Sequence, residues 1–334
     1  MELPITKLTP FYAGQLGIPG SDNPLGMREW PQSLEYYVDY NNPIANDASD
    51  GTGPHCPLAT VQEAVDRLED ANVGFSVIKV RSMTAESVHT YDYGDGPSFV
   101  LIQGMGNPFG SKYSPYWESD VATLPCLDLN APGFIVRGFC FAAPTTSSCI
   151  TLHHTDVTGN DIAIHTIIED NYFYGQTTGR YGILTHGCYE VVIRRNKFFG
   201  FHNARGAVAI RTDTCPLAIP YRNEITDNLF QDNDNHINGE FNGCLFARNV
   251  FQVNGISYAA DSALHTAGGV GGGGARNIVT DNFFEGIYKT VAGGGNYTAT
   301  ANDWWMGNHA DPATETAPGT TVHACGLTIA RPAA

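Results

Sequence analysis

Between about residues 135 and 284, short apolar runs recur along the chain, and each ends in polar residues that favour turns. Five of these runs share one pattern: an apolar residue, any residue, Asp or Arg, then Asn, any residue and Phe. They occupy residues 168–173, 193–198, 225–230, 246–251 and 279–284. A weaker version begins at Ile135 and has Gly138 where the others have Asn. A repeat of this kind indicates one structural unit that is used several times.

The spacing of this repeat predicts a solenoid. Its asparagines are 25, 32, 21 and 33 residues apart, at positions Asn171, Asn196, Asn228, Asn249 and Asn282. The shorter spacings suit one coil of a solenoid, and the longer ones suit a coil with a surface insertion. We expect each Asn to occupy a turn, in the left-handed region that Asn tolerates, and to stack on the next Asn through amide hydrogen bonds. The pattern predicts an all-β chain, a right-handed single-stranded parallel β-helix whose Phe side chains point inward.

The residues that precede the repeat have a different pattern. Residues 1–32 contain Pro4, Pro10, Pro19, Pro24 and Pro31 among apolar residues, which predicts an extended arm. Thr60 and Glu63 form a capping-box sequence, and apolar residues follow at helical spacing, so one capping helix is expected near residues 60–71. Short strands are expected at 36–39, 75–80 and 99–103. We therefore divide the chain into an arm (1–32), a parallel β-helix (33–300) and a C-terminal cap (301–334) that covers the last coil edge.

With its capping helix and its Asn–Phe coils, the chain resembles the right-handed parallel β-helix superfamily, which contains pectate lyases and phage tailspikes. The resemblance covers roughly residues 36–300. It implies the fold, but it does not select an activity, because this fold carries lyases, hydrolases, epimerases and structural proteins.

Composition and charge narrow the choice of partners. The net charge is −16, so binding to nucleic-acid phosphates is not expected. No apolar run is long enough for a membrane span, and no secretory signal is visible at the N-terminus. The eight cysteines form no CxxC pair, so we expect reduced, buried thiols and assembly in a reducing cytoplasm. No cofactor is expected.

Two sets of residues could carry chemistry. A glycosidase needs two carboxylates, and the best local cluster contains Asp232, Asp234 and Glu240, which Asp213 and Asp261 could join from neighbouring coils. A lyase needs a base and cations. Its candidates are Arg180, Arg205, Arg211, Arg222, His186 and His202. Neither set has a spacing that is diagnostic of an enzyme family, and both sets are also what an ordinary polar surface would contain. His153 and His154 are adjacent and would point to opposite faces of a strand, so no metal site is expected there or at His165.

Without a diagnostic catalytic set, we favour a structural component of a virus particle, such as a phage capsid decoration (cement) protein or a short spike. It would be a homotrimer, assembled in the host cytoplasm and attached to other virion proteins through the arm. The alternatives are a carbohydrate-active enzyme (a polysaccharide lyase, glycosidase or depolymerase) and a non-catalytic glycan-binding module. In the last case Trp304 and Trp305 would provide the sugar platform.

Overall fold

The structure is a computed structural model of one 334-residue chain. It describes residues 34–72, 75–92, 95–106, 115–153, 163–175, 179–201, 208–213, 222–233, 235–239, 241–252, 264–265, 276–285, 297–298, 304–310 and 327–328. The arm that the sequence predicts at residues 1–32 lies outside this part of the chain.

One helix and 27 short strands make up the described secondary structure. The helix is α1 (Val61–Ala71). The strands are β1 (Glu35–Asp39), β2 (Val77–Ser82), β3 (Val88–His89), β4 (Leu101–Gly104), β5 (Tyr116–Glu118), β6 (Leu127–Leu129), β7 (Ile135–Arg137), β8 (Cys140–Ala142), β9 (Ser148–Leu152), β10 (Ile167–Glu169), β11 (Tyr172–Tyr174), β12 (Tyr181–His186), β13 (Val192–Arg194), β14 (Lys197–Phe199), β15 (Val208–Asp213), β16 (Glu224–Thr226), β17 (Leu229–Gln231), β18 (Asn235–Gly239), β19 (Leu245–Ala247), β20 (Val250–Gln252), β21 (Leu264–His265), β22 (Ile278–Thr280), β23 (Phe283–Glu285), β24 (Tyr297–Thr298), β25 (Trp304–Met306), β26 (His309–Ala310) and β27 (Leu327–Thr328).

These strands form three long sheets. Sheet A has the order β1-β2-β4-β7-β10-β13-β16-β19-β22-β25, sheet B the order β3-β6-β9-β12-β15-β18-β21-β24, and sheet C the order β5-β8-β11-β14-β17-β20-β23-β26-β27. Every pairing is parallel except that of β26 with β27. The chain passes once through each sheet per coil, so the predicted parallel β-helix is confirmed. Parallel pairing in sheets A and C continues past residue 300, to Met306 and Ala310.

Aromatic rings stack in a column inside the solenoid, as the repeat predicts. Phe173, Phe198, Phe230 and Phe251 are fully buried, and successive rings lie 4.7 to 5.0 Å apart and nearly parallel. On the next strand of sheet C, Phe284 pairs in register with Phe251. The coils are therefore joined by a dry aromatic core as well as by their strand hydrogen bonds.

The predicted asparagine ladder is also present. The side-chain Oδ1 of each Asn accepts hydrogen bonds from both the backbone N and the Nδ2 of the preceding rung, at 2.9 to 3.2 Å. Each Nδ2 also donates to a carbonyl of the preceding sheet A strand, such as Val136 O or Ile193 O. Asn308 adds a further rung below Asn282. The ladder satisfies the buried polar groups at the corner between sheets A and C.

The left-handed residue at this corner is not the Asn that the sequence analysis expected but the residue before it. Asp170, Arg195, Asp227, Arg248 and Asp281 have φ of 55° to 59°. The asparagines of the ladder are not among the residues with positive φ. In the weaker first repeat, Gly138 (φ 83°) takes this left-handed position, so Phe139 rather than Gly138 stands where the other coils have Asn.

The left-handed residues form an exposed ladder of alternating charge, which we call the charge ladder: Asp170, Arg195, Asp227, Arg248 and Asp281. The guanidinium of Arg195 binds both oxygens of Asp170 at 2.8 Å, and that of Arg248 binds both oxygens of Asp227 at 2.7 Å. Arg248 lowers the pKa of Asp227 through these bonds. The bidentate geometry makes these pairs stronger than single-contact surface ion pairs.

Helix α1 closes the N-terminal end of the solenoid. Thr60 caps it by accepting from the backbone N of Glu63, as predicted, but Glu63 does not reach back to Thr60. The carboxylate of Asp47 accepts the backbone N–H of Thr60 instead, and Glu63 binds Arg67. The buried carboxylate of Glu86 accepts from the first two helix N–H groups, those of Val61 and Gln62. Burial raises its pKa to about 7, although these two hydrogen bonds oppose the shift.

The described residues include parts of the predicted C-terminal cap and six of the eight cysteines. Strand β27 covers the end of sheet C by antiparallel pairing. Cys56, Cys126, Cys140, Cys149, Cys188 and Cys244 form no disulfide, while Cys215 and Cys325 lie outside the described residues. In the described part of the chain, no helix is long and apolar enough to cross a membrane.

Candidate functional site

Among the described residues, the carboxylates predicted as a glycosidase pair do not lie close together. Asp213 ends β15 in sheet B, at a position in register with His186. Asp232 follows β17 and precedes β18, so it lies at the opposite end of the sheet B strands. Asp234, Glu240 and Asp261 lie outside the described residues. His236, from the same cluster, is buried between Phe230 and Phe251, and burial lowers its pKa to about 3.

The predicted lyase residues are also dispersed. Arg180 precedes β12 and stacks over the Tyr181 ring, and exposed Arg222 lies 3.3 Å from the carboxylate of Glu190. Arg211 and His186 both lie in sheet B, in register with Leu184 and Asp213 respectively. Arg205 and His202 lie outside the described residues.

The outer face of sheet B instead assembles a different set of titratable groups, which we call the His–Asp cluster: His89, Asp128, His153 and His186. Leu127 and Leu129 of β6 point into the core, so the alternation of the strand turns Asp128 outward. Asp128 pairs in register with His89 on β3, and His153 follows β9 at the same end of the sheet. The coils therefore bring together residues that are far apart in sequence.

Asp128 is the centre of the cluster. Its Oδ2 lies 3.0 Å from His89 Nδ1, within hydrogen-bond distance, and its Oδ1 lies 2.7 Å from His153 Nε2. Both contacts favour the ionised form of Asp128. Burial by itself would raise the pKa of Asp128, but the contacts with His153 and His89 outweigh it and lower the pKa to about 2. Asp128 is therefore a carboxylate at any physiological pH.

The cluster extends along the sheet from His153 to the ring of His186. His153 and His186 stack with centroids 5.2 Å apart. The side chain of His89 is 64% exposed, and that of His153 is 29% exposed, so both can be reached from solvent. An imidazole oriented by a carboxylate can act as a general base or acid near neutral pH, which makes the cluster able to transfer protons to or from a bound molecule.

An acidic cleft of about 300 Å³ adjoins His89, between helix α1 and the loop that follows β3. Its walls are Gln62, Asp66, Glu69, His89, Thr90, Tyr91, Asp92 and Asp95. Burial and the four nearby aspartates raise the pKa of Glu69. Among the described residues, no group of three or more His, Cys, Asp or Glu side chains is arranged to hold a metal ion.

The sequence analysis missed the His–Asp cluster. His153 was considered only with its neighbour His154, as a metal ligand, and His89 and Asp128 were not considered. A signal was present, because one His directly follows β9 and another is the last residue of β12. That signal is readable only once the coils are aligned, because 39 residues separate His89 from Asp128.

The outer face of sheet A carries a second feature, an apolar row formed by the first residue of successive strands. Its members after β1 are Val77, Leu101, Ile135, Ile167, Val192, Leu245, Ile278 and Trp304, and charged Glu224 interrupts the row between Val192 and Leu245. The first five are only 2–7% exposed and form a cluster separate from the interior core. The row ends in side chains open to solvent: Ile278 is 38%, Trp304 67% and neighbouring Met306 52% exposed.

Comparison with known proteins adds little beyond the fold. No protein-family profile and no curated protein matches the chain. A solved structure of a rhamnogalacturonan lyase is similar over 84% of this chain and 74% of that chain, with 13% sequence identity and a TM-score of 0.35. A likeness this distant carries no information about activity, and the fold assignment rests on the parallel sheets themselves.

Proposed function

We propose that this chain is a structural component of a virus particle, such as a phage capsid decoration protein or a short spike, and that it acts as a homotrimer. The observation that supports this most is the exposed apolar end of the sheet A row. Ile278, Trp304 and Met306 lie together on neighbouring strands of a rigid face. Aromatic and Met side chains are enriched in the buried centres of protein interfaces, and a cluster of them open to water marks an association surface.

Two further features fit an assembly role. Columns of stacked Phe rings and hydrogen-bonded Asn side chains join the coils. They make the solenoid stiff, which suits it to hold a surface at a fixed position. The free thiols suit assembly in a reducing compartment. In this proposal the arm at residues 1–32 attaches the rod to neighbouring virion proteins, and repeated arms across a particle lattice would add avidity.

The test is the mass of the native assembly, measured by light scattering after size-exclusion chromatography. A trimer has three times the 36.0 kDa of one chain. Trp304→Asp places a charge in the association surface and should shift the protein to monomer. Tyr174→Asp is the matched control, since Tyr174 is an exposed aromatic on sheet C, and it should leave the trimer intact. A monomeric wild-type protein would contradict the proposal, and dissociation by the Tyr174 variant alone would move the association surface to sheet C.

The His–Asp cluster favours a second candidate, a carbohydrate-active enzyme or glycan-binding module. Asp128 contacts two of its imidazoles, those of His89 and His153, and both side chains are accessible to a bound glycan. For the alternative platform of Trp304 and Trp305, the described side chains include Trp304, which is 67% exposed.

This second candidate is tested by screening acidic and neutral polysaccharides for new reducing ends or unsaturated products. Activity lost in His153→Gln but kept in His55→Gln, a change to an exposed loop histidine, would support the enzyme. Asp234→Asn should leave any such activity unchanged. Activity that vanished in Asp234→Asn would return the site to the carboxylate cluster that the sequence suggested.

A further inference from the structure

Two buried cysteines, Cys126 and Cys149, face each other across neighbouring coils of the solenoid. Strands β6 and β9 are adjacent and parallel in sheet B, and Leu127 is in register with Ile150. Cys126 and Cys149 each come one residue before that pair, so they occupy equivalent positions in consecutive coils. Both side chains are fully buried in the interior core.

The spacing of these two cysteines suits a disulfide bond. Neighbouring strands of a sheet lie about 4.8 Å apart, and the Cα atoms of bonded cysteines are usually about 4.4–6.8 Å apart. Burial raises the pKa of the Cys149 thiol, and a side-chain hydrogen bond with Cys126 raises it further. That hydrogen bond places the two sulfur atoms beside each other, so the side chains already point in compatible directions.

The contacts that hold the reduced Cys126 thiol in place are weak. Its Sγ donates to the carbonyl oxygens of Ala142 and Trp117, at 3.5 and 3.7 Å. A thiol is a weak hydrogen-bond donor, so little stability is lost when these contacts are given up. A bond between the two sulfurs therefore needs neither a change of strand register nor the loss of a strong hydrogen bond.

We propose that Cys126 and Cys149 form an oxidation site, which a small disulfide compound such as oxidised glutathione converts into a disulfide between consecutive coils. The thiolate of Cys126 attacks one sulfur of the compound and releases one equivalent of its thiol. The thiolate of Cys149 then attacks the Cys126 sulfur and displaces the second equivalent, so the two electrons and two protons end on the compound. Cys126 reacts first because it directly follows a loop whose Leu124 is exposed to solvent.

The consequence of this bond is a coil that is harder to unfold. A disulfide between residues 126 and 149 closes the chain between two coils, which lowers the entropy of the unfolded state. A protein that assembles with reduced thiols thus gains stability when it enters an oxidising environment. The inference does not depend on the proposed virion role, because it concerns the thiols of a single chain.

Oxidation of the reduced, full-length protein tests this site. The native protein is incubated with oxidised glutathione at mildly alkaline pH, and the remaining thiols are alkylated in denaturant. Trypsin cuts after Lys112, Arg137 and Arg180, so Cys126 and Cys149 fall on the separate peptides 113–137 and 138–180. We expect mass spectrometry without reduction to find these two peptides joined within one chain, with two thiols fewer than in the untreated protein. The midpoint of urea unfolding should rise.

Variants separate Cys149 from Cys140, which lies on the same tryptic peptide. Cys140→Ala should keep the link, whereas Cys149→Ala should lose both the link and the rise in midpoint. Alanine is tolerated because a buried free cysteine packs as a small apolar residue. A link that survives in Cys149→Ala and is lost in Cys140→Ala would overturn the inference, as would a link found only between two chains. A native protein that forms no link while the urea-unfolded chain oxidises would contradict it too, as would a link that fails to raise the midpoint.

Discussion

Removing one rung of the asparagine ladder should have a large effect, and Asn228 is the most informative rung. Its Oδ1 accepts from the backbone N and the Nδ2 of Asn196, at 2.9 and 3.2 Å, and its Nδ2 donates to Ile193 O at 2.9 Å. Asn228→Ala deprives these three buried groups of a partner at once. Each buried group left without a partner costs about 1–3 kcal/mol, so the three together give an expected loss of about 3–9 kcal/mol. This is a large share of the roughly 5–15 kcal/mol that stabilises a typical domain.

The loss is measured by urea unfolding followed by circular dichroism, where the midpoint should fall with an unchanged slope. Hydrogen exchange adds a local reading, because the backbone N–H of Asn196 loses its acceptor and should exchange faster than in the wild type. Asn42→Ala is the matched control. Asn42 is exposed and makes two longer bonds, at 3.2 and 3.4 Å, so its replacement should cost less than about 1 kcal/mol. A cost below about 1 kcal/mol for Asn228→Ala as well would refute the view that the ladder holds the coils together.

Three further predictions concern the core, the cap and the thiols. Phe230→Ala removes a fully buried ring stacked 5.0 Å from both Phe198 and Phe251, and it should lower the unfolding free energy by about 3–5 kcal/mol in the same urea assay. The raised pKa of Glu86, about 7 when folded, gives stability that is complete below its unfolded pKa near 4.5 and is lost as pH rises through 7. The wild type should therefore lose about 2–4 kcal/mol relative to Glu86→Gln between pH 4.5 and pH 8, and parallel pH profiles would contradict this. Thiol titration in denaturant without reductant should recover nearly all eight cysteines, whereas two or more bonded pairs would indicate an exported protein.

The sequence was sufficient to predict the solenoid because the features that build it repeat at equivalent positions. Phe173, Phe198 and Phe230 fill identical inward sites, so selection for the same side chain in each coil makes the period visible. The conformation at the corner was not predicted correctly. Asn tolerates left-handed backbone, but so does Asp, and the backbone dihedral angles place the positive φ at Asp170 and Asp227, not at the asparagines.

The candidate site was less predictable for a physical reason. His89, Asp128 and His153 become neighbours only through the register of sheet B, and the lengths of the insertions in each coil hide that register in the sequence. Local clusters such as the one around Asp232 attract attention because their members are close in sequence. In a solenoid, however, neighbours on an outer face come from successive coils, and residues close in sequence are spread around the coil.

The alternation of sign in the charge ladder has a consequence for how the coils find their partners. The Phe and Asn columns present the same group at every level, so by themselves they would accept a coil that docked one level too far along. Skipping one level would bring Asp170 beside Asp227, or Arg195 beside Arg248, and like charges would meet at the edge. Adjacent coils therefore carry opposite charges and coils two levels apart carry like charges, so a coil that docks one level too far along meets repulsion at this edge.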